Sequence, residues 1–82
     1  MVKVFSTTVC PKCRRLKEFL AKNNVEFDSV SMETAEGMTE LFMLGIVVFN
    51  APVLLKGNNA LLSGEMFKGT EIQEEKILDF LS

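Results

Sequence analysis

The chain contains two cysteines, Cys10 and Cys13, and only Pro11-Lys12 separates them. A short apolar run, Val2 to Phe5, precedes the pair, and a helical pattern follows it. A strand that runs into Cys-x-x-Cys at the start of a helix narrows both fold and chemistry. The first sulfur falls at the helix N-terminus, where unpaired N–H groups and the helix dipole favour a thiolate. The second sulfur falls one turn further on, within reach of a disulfide.

Composition removes several alternatives. At 82 residues, residues 1–82 read as one small domain with an economical core. Hydrophobic residues make up 48% and there are two prolines, which argues against disorder. Two cysteines cannot form the disulfide framework of a small secreted domain. Met1 to Phe5 is too short for a cleavable signal, and no apolar run nears the ~20 residues of a membrane span. The expected setting is the cytoplasm, where an isolated Cys pair is catalytic or metal-binding rather than structural. His, Trp and Tyr are absent. Without His there is no Cys–His nucleophile and no Cys/His zinc finger, and two Cys alone leave a zinc site incomplete.

Charge is unevenly spread. Lys3, Lys12, Arg14, Arg15, Lys17 and Lys22 against Glu18 give residues 1–22 a balance of +5. Three lysines against ten acidic residues give residues 23–82 a balance of −7. Positive charge therefore surrounds the Cys pair, either as a solvated helix face or as a functional feature. The small patch, the acidic remainder and the lack of Tyr and Trp argue against nucleic-acid binding.

Hydrophobic periodicity divides the chain into elements. Val2, Val4 and Phe5 predict a buried strand. Pro11 suits a first helical turn, and Leu16, Phe19 and Leu20 recur at helical spacing until Asn23-Asn24. Val25 and Phe27 alternate with Glu26 and Asp28, which predicts a second strand to Ser31. A second helix begins near Glu33–Thr34, with Met38, Leu41 and Phe42 as its apolar face and Gly45 as its C-terminal cap. Val47 to Asn50 lead to Ala51-Pro52. Val53-Leu54-Leu55 and Ala60-Leu61-Leu62, joined by Lys56-Gly57-Asn58-Asn59, predict a hairpin. Thr70 and Gln73 have the spacing of a capping box that opens a last helix, with Ile77, Leu78, Phe80 and Leu81 on its apolar side. The order is βαβαββα. A parallel first pair with a right-handed crossover and an added hairpin give an α/β fold: a four-stranded mixed sheet with helices on both faces.

Three segments carry a family resemblance. They are Val2-Lys3-Val4-Phe5-Ser6 leading to Cys10-Pro11-Lys12-Cys13, then Ala51-Pro52-Val53-Leu54, then Ser63-Gly64. Together they resemble the glutaredoxin-like branch of the thioredoxin superfamily over nearly the whole chain, which implies a thioredoxin-like fold. The resemblance implies that Cys10 is the nucleophile, that Cys13 resolves the mixed disulfide, and that the Ala51–Pro52 bond is cis and faces the site. It further implies that Pro11, Lys12, Ala51, Pro52, Ser63 and Gly64 meet the substrate. Three departures stand out. Lys12 occupies the place of a Tyr or Phe. Thr7-Thr8 replace a Lys ahead of the first Cys. Glu65 to Gly69 replace an Asp-containing turn that receives glutathione. In these respects the chain looks closer to the small redoxins that serve ribonucleotide reductases and to short glutaredoxin-like proteins of anaerobes.

The implied activity is thiol–disulfide exchange on a protein disulfide, with ribonucleotide reductase or its activase as examples of the partner. A reductase supplies electrons, the protein is a monomer, and no cofactor is held beyond the redox-active Cys10–Cys13 disulfide itself; no metal is expected. Two alternatives use the same pair: a glutathione-dependent glutaredoxin, and a module binding soft Cu, Zn or Fe–S through the two thiolates. Plainer readings also apply. The cysteines could be small buried hydrophobes, Pro52 an ordinary trans proline at a strand start, and Lys12 a solvated side chain. Met38, Met43 and Met66 read as filler. Phe42, Phe49 and Phe67 read as packing, with Phe49 or Phe67 as groove-lining candidates.

Overall fold

Alternation along the strands sorts the apolar residues onto two faces of one sheet. In the computed structural model, which describes residues 2–47 and 50–82, β1 (Val2–Ser6) is central. It pairs in parallel with β2 (Asp28–Ser31), Lys3 opposite Asp28 and Ser6 opposite Ser31. On its other side it pairs antiparallel with β3 (Val53–Lys56), Phe5 opposite Val53, and β3 pairs antiparallel with β4 (Asn59–Leu61). The sheet order is β2-β1-β3-β4. The crossover between β1 and β2 is α1 (Pro11–Lys22), and α2 (Ala35–Met43) follows β2. The chain ends with α3 (Ser63–Met66), a two-stranded ribbon of β5 (Phe67–Lys68) and β6 (Glu71–Ile72), and α4 (Glu74–Leu81).

One face carries Val4, Leu54 and Leu61. It packs against Leu16, Phe19 and Leu20 of α1, Met66 of α3, Phe67 of β5 and Ile77 of α4. The opposite face carries Phe5, Val53 and Leu55, covered by Leu41 of α2. Lys3 on this second face donates to both carboxylate oxygens of Glu40 at 3.0 Å, a half-buried tie between β1 and α2.

Both long crossings end in the same way. After α1, Asn24 has φ 58° and the N–H of Val25 donates to Leu20 O at 2.9 Å. After α2, Gly45 has φ +76° and Ile46 donates to Leu41 O at 3.0 Å. Each is a Schellman closure in which a residue able to adopt positive φ frees the last carbonyls to bond. The turn between β3 and β4 is tight, with φ +62° at Gly57.

In its secondary structure and packing the chain departs from the sequence-based expectation at four places. Val25 and Phe27 are not part of β2, because the Schellman closure uses Val25 and the strand begins only at Asp28; both still pack on the core. Met38 and Phe42 are exposed, 60% and 73%, so the apolar face of α2 reduces to Gly37 and Leu41. The close approach at Gly37 sets this rotation: a Cβ there would stand 1.9 Å from Ser31 O. Thr70 does not cap α4. It belongs to the turn of the β5–β6 ribbon, and Gln73 is the N-cap, with no side-chain capping bond. Finally, α3 and the ribbon are additional to the βαβαββα order, being too short for periodicity to reveal. Val48 and Phe49, and with them the expectation that Phe49 lines a groove, lie outside the described residues.

Candidate active site

Cys10 is the N-cap of α1, in extended conformation, and Pro11 occupies the first helical position. This local arrangement follows from the sequence, since proline's missing N–H costs nothing at a position where no intrahelical partner exists. The Cys10 and Cys13 sulfurs are at disulfide distance, 2.22 Å, with Cα atoms 5.2 Å apart. The backbone N–H of Cys13 donates to Cys10 Sγ at 3.0 Å, so a first-turn donor is aimed at the first sulfur. The two differ in exposure: Cys10 is half-buried, whereas Cys13 is 3% exposed. No acidic residue stands in the first turn of α1.

Lys12 is not simply solvated, contrary to the sequence reading. Its ammonium lies over the Phe67 ring, 5.8 Å from the centroid, and the side chain is half-buried. The ring face carries negative charge density that attracts the cation, and the lysine stem covers apolar surface. Nearby, Arg15 donates through Nη1 to Thr70 O at 3.3 Å, linking α1 to the turn of the ribbon. A groove of about 420 Å³ runs beside the Cys pair, lined by the Thr7–Val9 loop, Arg14, Lys17 and Glu18. A larger cleft, about 810 Å³, lies by Val2, Ala21, Val25 and Phe27 and has no nucleophile in its lining.

Strand register brings the remaining expected residues to the same end of the sheet. Val53 opposes Phe5, so Pro52 lies at the end of β1 that leads to Cys10. Pro52 is fully buried, and the Ala51–Pro52 bond is cis, as the resemblance implies. The hairpin returns the chain to that end, where Ser63 is 6% exposed and Gly64 is exposed at the start of α3. The parallel pairing also brings the end of β2 to this end.

Glu33 is part of this neighbourhood and was not foreseen. Its Oε1 accepts from Thr8 N–H at 2.8 Å and from Thr8 Oγ1 at 2.5 Å. The Thr8 hydroxyl, then the Thr8 N–H, hold the carboxyl below its ordinary value of 4.5. Twenty-five residues separate the two, so no local pattern could have signalled the contact. Among the described residues, no group of three or more Cys, Asp or Glu side chains is placed to hold a metal ion.

This fold with a Cys-x-x-Cys at the head of α1 defines a thioredoxin-like protein with a redox-capable cysteine pair. Solved structures agree on the fold. A variant of the thioredoxin-like protein BC3987 superposes with a TM-score of 0.77 at 21% identity, covering 100% of both chains. Glutaredoxin grx-1 from Archaeoglobus fulgidus gives 0.68 at 24% identity, over 98% of this chain and 84% of that one. The glutaredoxin-like NrdH-redoxin from Escherichia coli gives 0.61 at 13% identity, over 74% and 79%. In sequence, the glutaredoxin family profile matches residues 2–43, about half the chain, and the protein belongs to the glutaredoxin family. A curated relative, an uncharacterized glutaredoxin-like 8.6 kDa protein in the rubredoxin operon of Clostridium pasteurianum, is 40% identical over 40 residues. That match covers 49% of this chain and 51% of the relative, so the chain spans about half the length of the curated relative it matches.

Proposed function

We propose that this glutaredoxin-family protein reduces disulfides in protein substrates through Cys10 and Cys13. The observation that carries the reading is the asymmetry of the pair. Cys10 is the more exposed sulfur and receives an N–H bond from the first turn of α1, while Cys13 is buried beneath it. A thiolate at Cys10 attacks one sulfur of the substrate disulfide. The substrate S–S bond breaks, one substrate thiolate leaves, and a mixed disulfide forms. Cys13, as thiolate, then attacks Cys10 Sγ. The second substrate thiolate leaves and the Cys10–Cys13 disulfide forms. Two electrons pass from the dithiol to the substrate, and solvent protons complete the substrate thiols.

In this reading Pro11, Lys12, Ala51 and Gly64 form the docking surface at the Cys end of the sheet, and the buried Pro52 and Ser63 lie directly behind it. A thioredoxin-reductase-like protein, rather than glutathione, returns the electrons. Two features support that choice. Lys12 rests on Phe67 in the place of the family's Tyr or Phe, and Met66 to Gly69 are built into α3 and the ribbon rather than into a free turn. The setting is the cytoplasm, where thiols are kept reduced.

The test has two parts. With Cys13→Ser, a protein substrate should remain covalently attached to Cys10, and with Cys10→Ser no adduct should form. Oxidised protein should be reduced by a thioredoxin reductase with NADPH faster than by glutathione at matched electron supply. Adducts through Cys13 would reverse the assigned roles. Efficient turnover with glutathione and none with the reductase would make the protein a glutathione-dependent glutaredoxin.

A further inference from the structure

We propose that Glu33 is a positioning residue whose carboxylate latches the Thr7–Val9 loop and so presents Cys10 to a docked protein disulfide; the inference rests on the reading above. The loop is three residues long and joins the end of β1 directly to the N-cap Cys10. It forms one wall of the groove beside the sulfurs, and its Val9 is 87% exposed immediately before Cys10. Among the described residues, no backbone–backbone hydrogen bond outside helices and strands involves Thr7, Thr8 or Val9. What holds the loop is a side chain: both donors of Thr8 converge on Oε1 of Glu33, at 2.8 and 2.5 Å.

The other end of the latch is anchored. The Glu33 N–H donates to Ser31 Oγ at 3.1 Å, and Met32 N–H donates to Ser6 O at 2.7 Å. The next residue, Thr34, is the N-cap of α2: its Oγ1 accepts from Gly37 N–H at 3.0 Å and donates to Ser31 O at 3.2 Å. Glu33 thus projects from a junction fixed to β1, β2 and α2 at once. A charged acceptor shared by an N–H and a hydroxyl is a stronger tie than a neutral one. Holding the loop in one conformation spares an incoming partner the entropy of ordering it. Glu33 touches none of the reacting sulfurs; it acts through Thr8.

The experiment follows insulin disulfide reduction by the whole chain, with dithiothreitol as electron source, and Cys10 alkylation by iodoacetamide. Glu33→Ala removes the acceptor and should raise KM for insulin about three- to tenfold while leaving the alkylation rate within about twofold. Glu33→Gln keeps a carbonyl oxygen able to accept both bonds and should restore KM most of the way to wild type. Thr8→Val, which loses one of the two donors, should raise KM less than Glu33→Ala does. Adding it to Glu33→Ala should change nothing further, since coupled partners are not additive. Amide exchange at Thr8 should be slow in wild type and in Glu33→Gln, and fast in Glu33→Ala. An unchanged KM in Glu33→Ala overturns the latch alone. So does a Glu33→Gln variant whose Thr8 amide exchanges as slowly as in wild type while its KM is as impaired as that of Glu33→Ala, since the loop would then be held without the effect on docking. A wild-type chain that reduces no insulin removes the proposed function, and the inference with it.

Discussion

The backbone N–H of Cys13 donates to Cys10 Sγ at 3.0 Å, so the buried cysteine of the pair supplies a hydrogen bond to the more exposed one. The bond follows from the N-cap position of Cys10, whose side chain faces the unpaired donors of the first turn. In the reduced protein, Cys10 should therefore be alkylated at least about tenfold faster than Cys13 at neutral pH, because nucleophilicity follows thiolate character and access. Peptide mapping after a timed iodoacetamide pulse measures the ratio. A faster Cys13 would contradict the assigned order of attack.

The Glu33 contact has a defined pH dependence. Thr8, through its hydroxyl first and its N–H second, lowers the Glu33 carboxyl below 4.5. A lowered folded-state pKa means that the carboxylate form is favoured by folding. The contribution is fully present above pH 4.5 and is lost as pH falls through the lowered folded value. The Thr8 amide proton resonance should therefore titrate with Glu33, with its midpoint below 4.5. A midpoint above 4.5 would show that the bonds to Thr8 do not favour the charged form.

Rotation of α2 separates residues that look alike in the sequence. Leu41 is 4% exposed and Phe42 is 73% exposed. Leu41→Ala should destabilise the protein by about 2–4 kcal/mol, the cost of a lost buried side chain and its cavity. Phe42→Ser should change stability by less than about 0.5 kcal/mol, as at other exposed positions. Urea unfolding of both variants checks the pair, and equal losses would mean that both side chains are buried.

Gly37 is required for a different reason than Gly45. A Cβ at Gly37 would lie 1.9 Å from the carbonyl oxygen of Ser31, which belongs to β2 and cannot swing aside like a flexible side chain. Gly37→Ala should cost about 2 kcal/mol or more, because α2 must move off the sheet. Gly64→Ala meets nothing within 4 Å and should be close to neutral. Thermal melts of the two alanine variants make the comparison; an unaffected Gly37→Ala would show that α2 and β2 are further apart.

Much of the architecture was legible in the chain because it depends on neighbours in sequence. Cys10 and Cys13 share one helical turn, Pro11 marks its start, and Asn24 and Gly45 sit where a closing residue must accept positive φ. Val4-Phe5 and Val53-Leu54-Leu55 read as strands in the chain, and in the structure successive residues fall on opposite sheet faces, as the strand period requires. Such features need no knowledge of what lies across the core.

Tertiary structure alone decided the rest. Met38, Leu41 and Phe42 satisfy a helical stripe, but which of them is buried depends on how closely Gly37 lets α2 approach Ser31. Thr70 and Gln73 have the spacing of a capping box, yet the ribbon takes Thr70 into its turn and Arg15 bonds its carbonyl from another element. Lys12 finds the ring of Phe67, and Thr8 finds Glu33, across 55 and 25 residues of chain. Spacing along the sequence sets what a residue can do within its own turn or strand. Partners for an exposed cation, hydroxyl or carboxylate are set by which ends of which strands the register brings together.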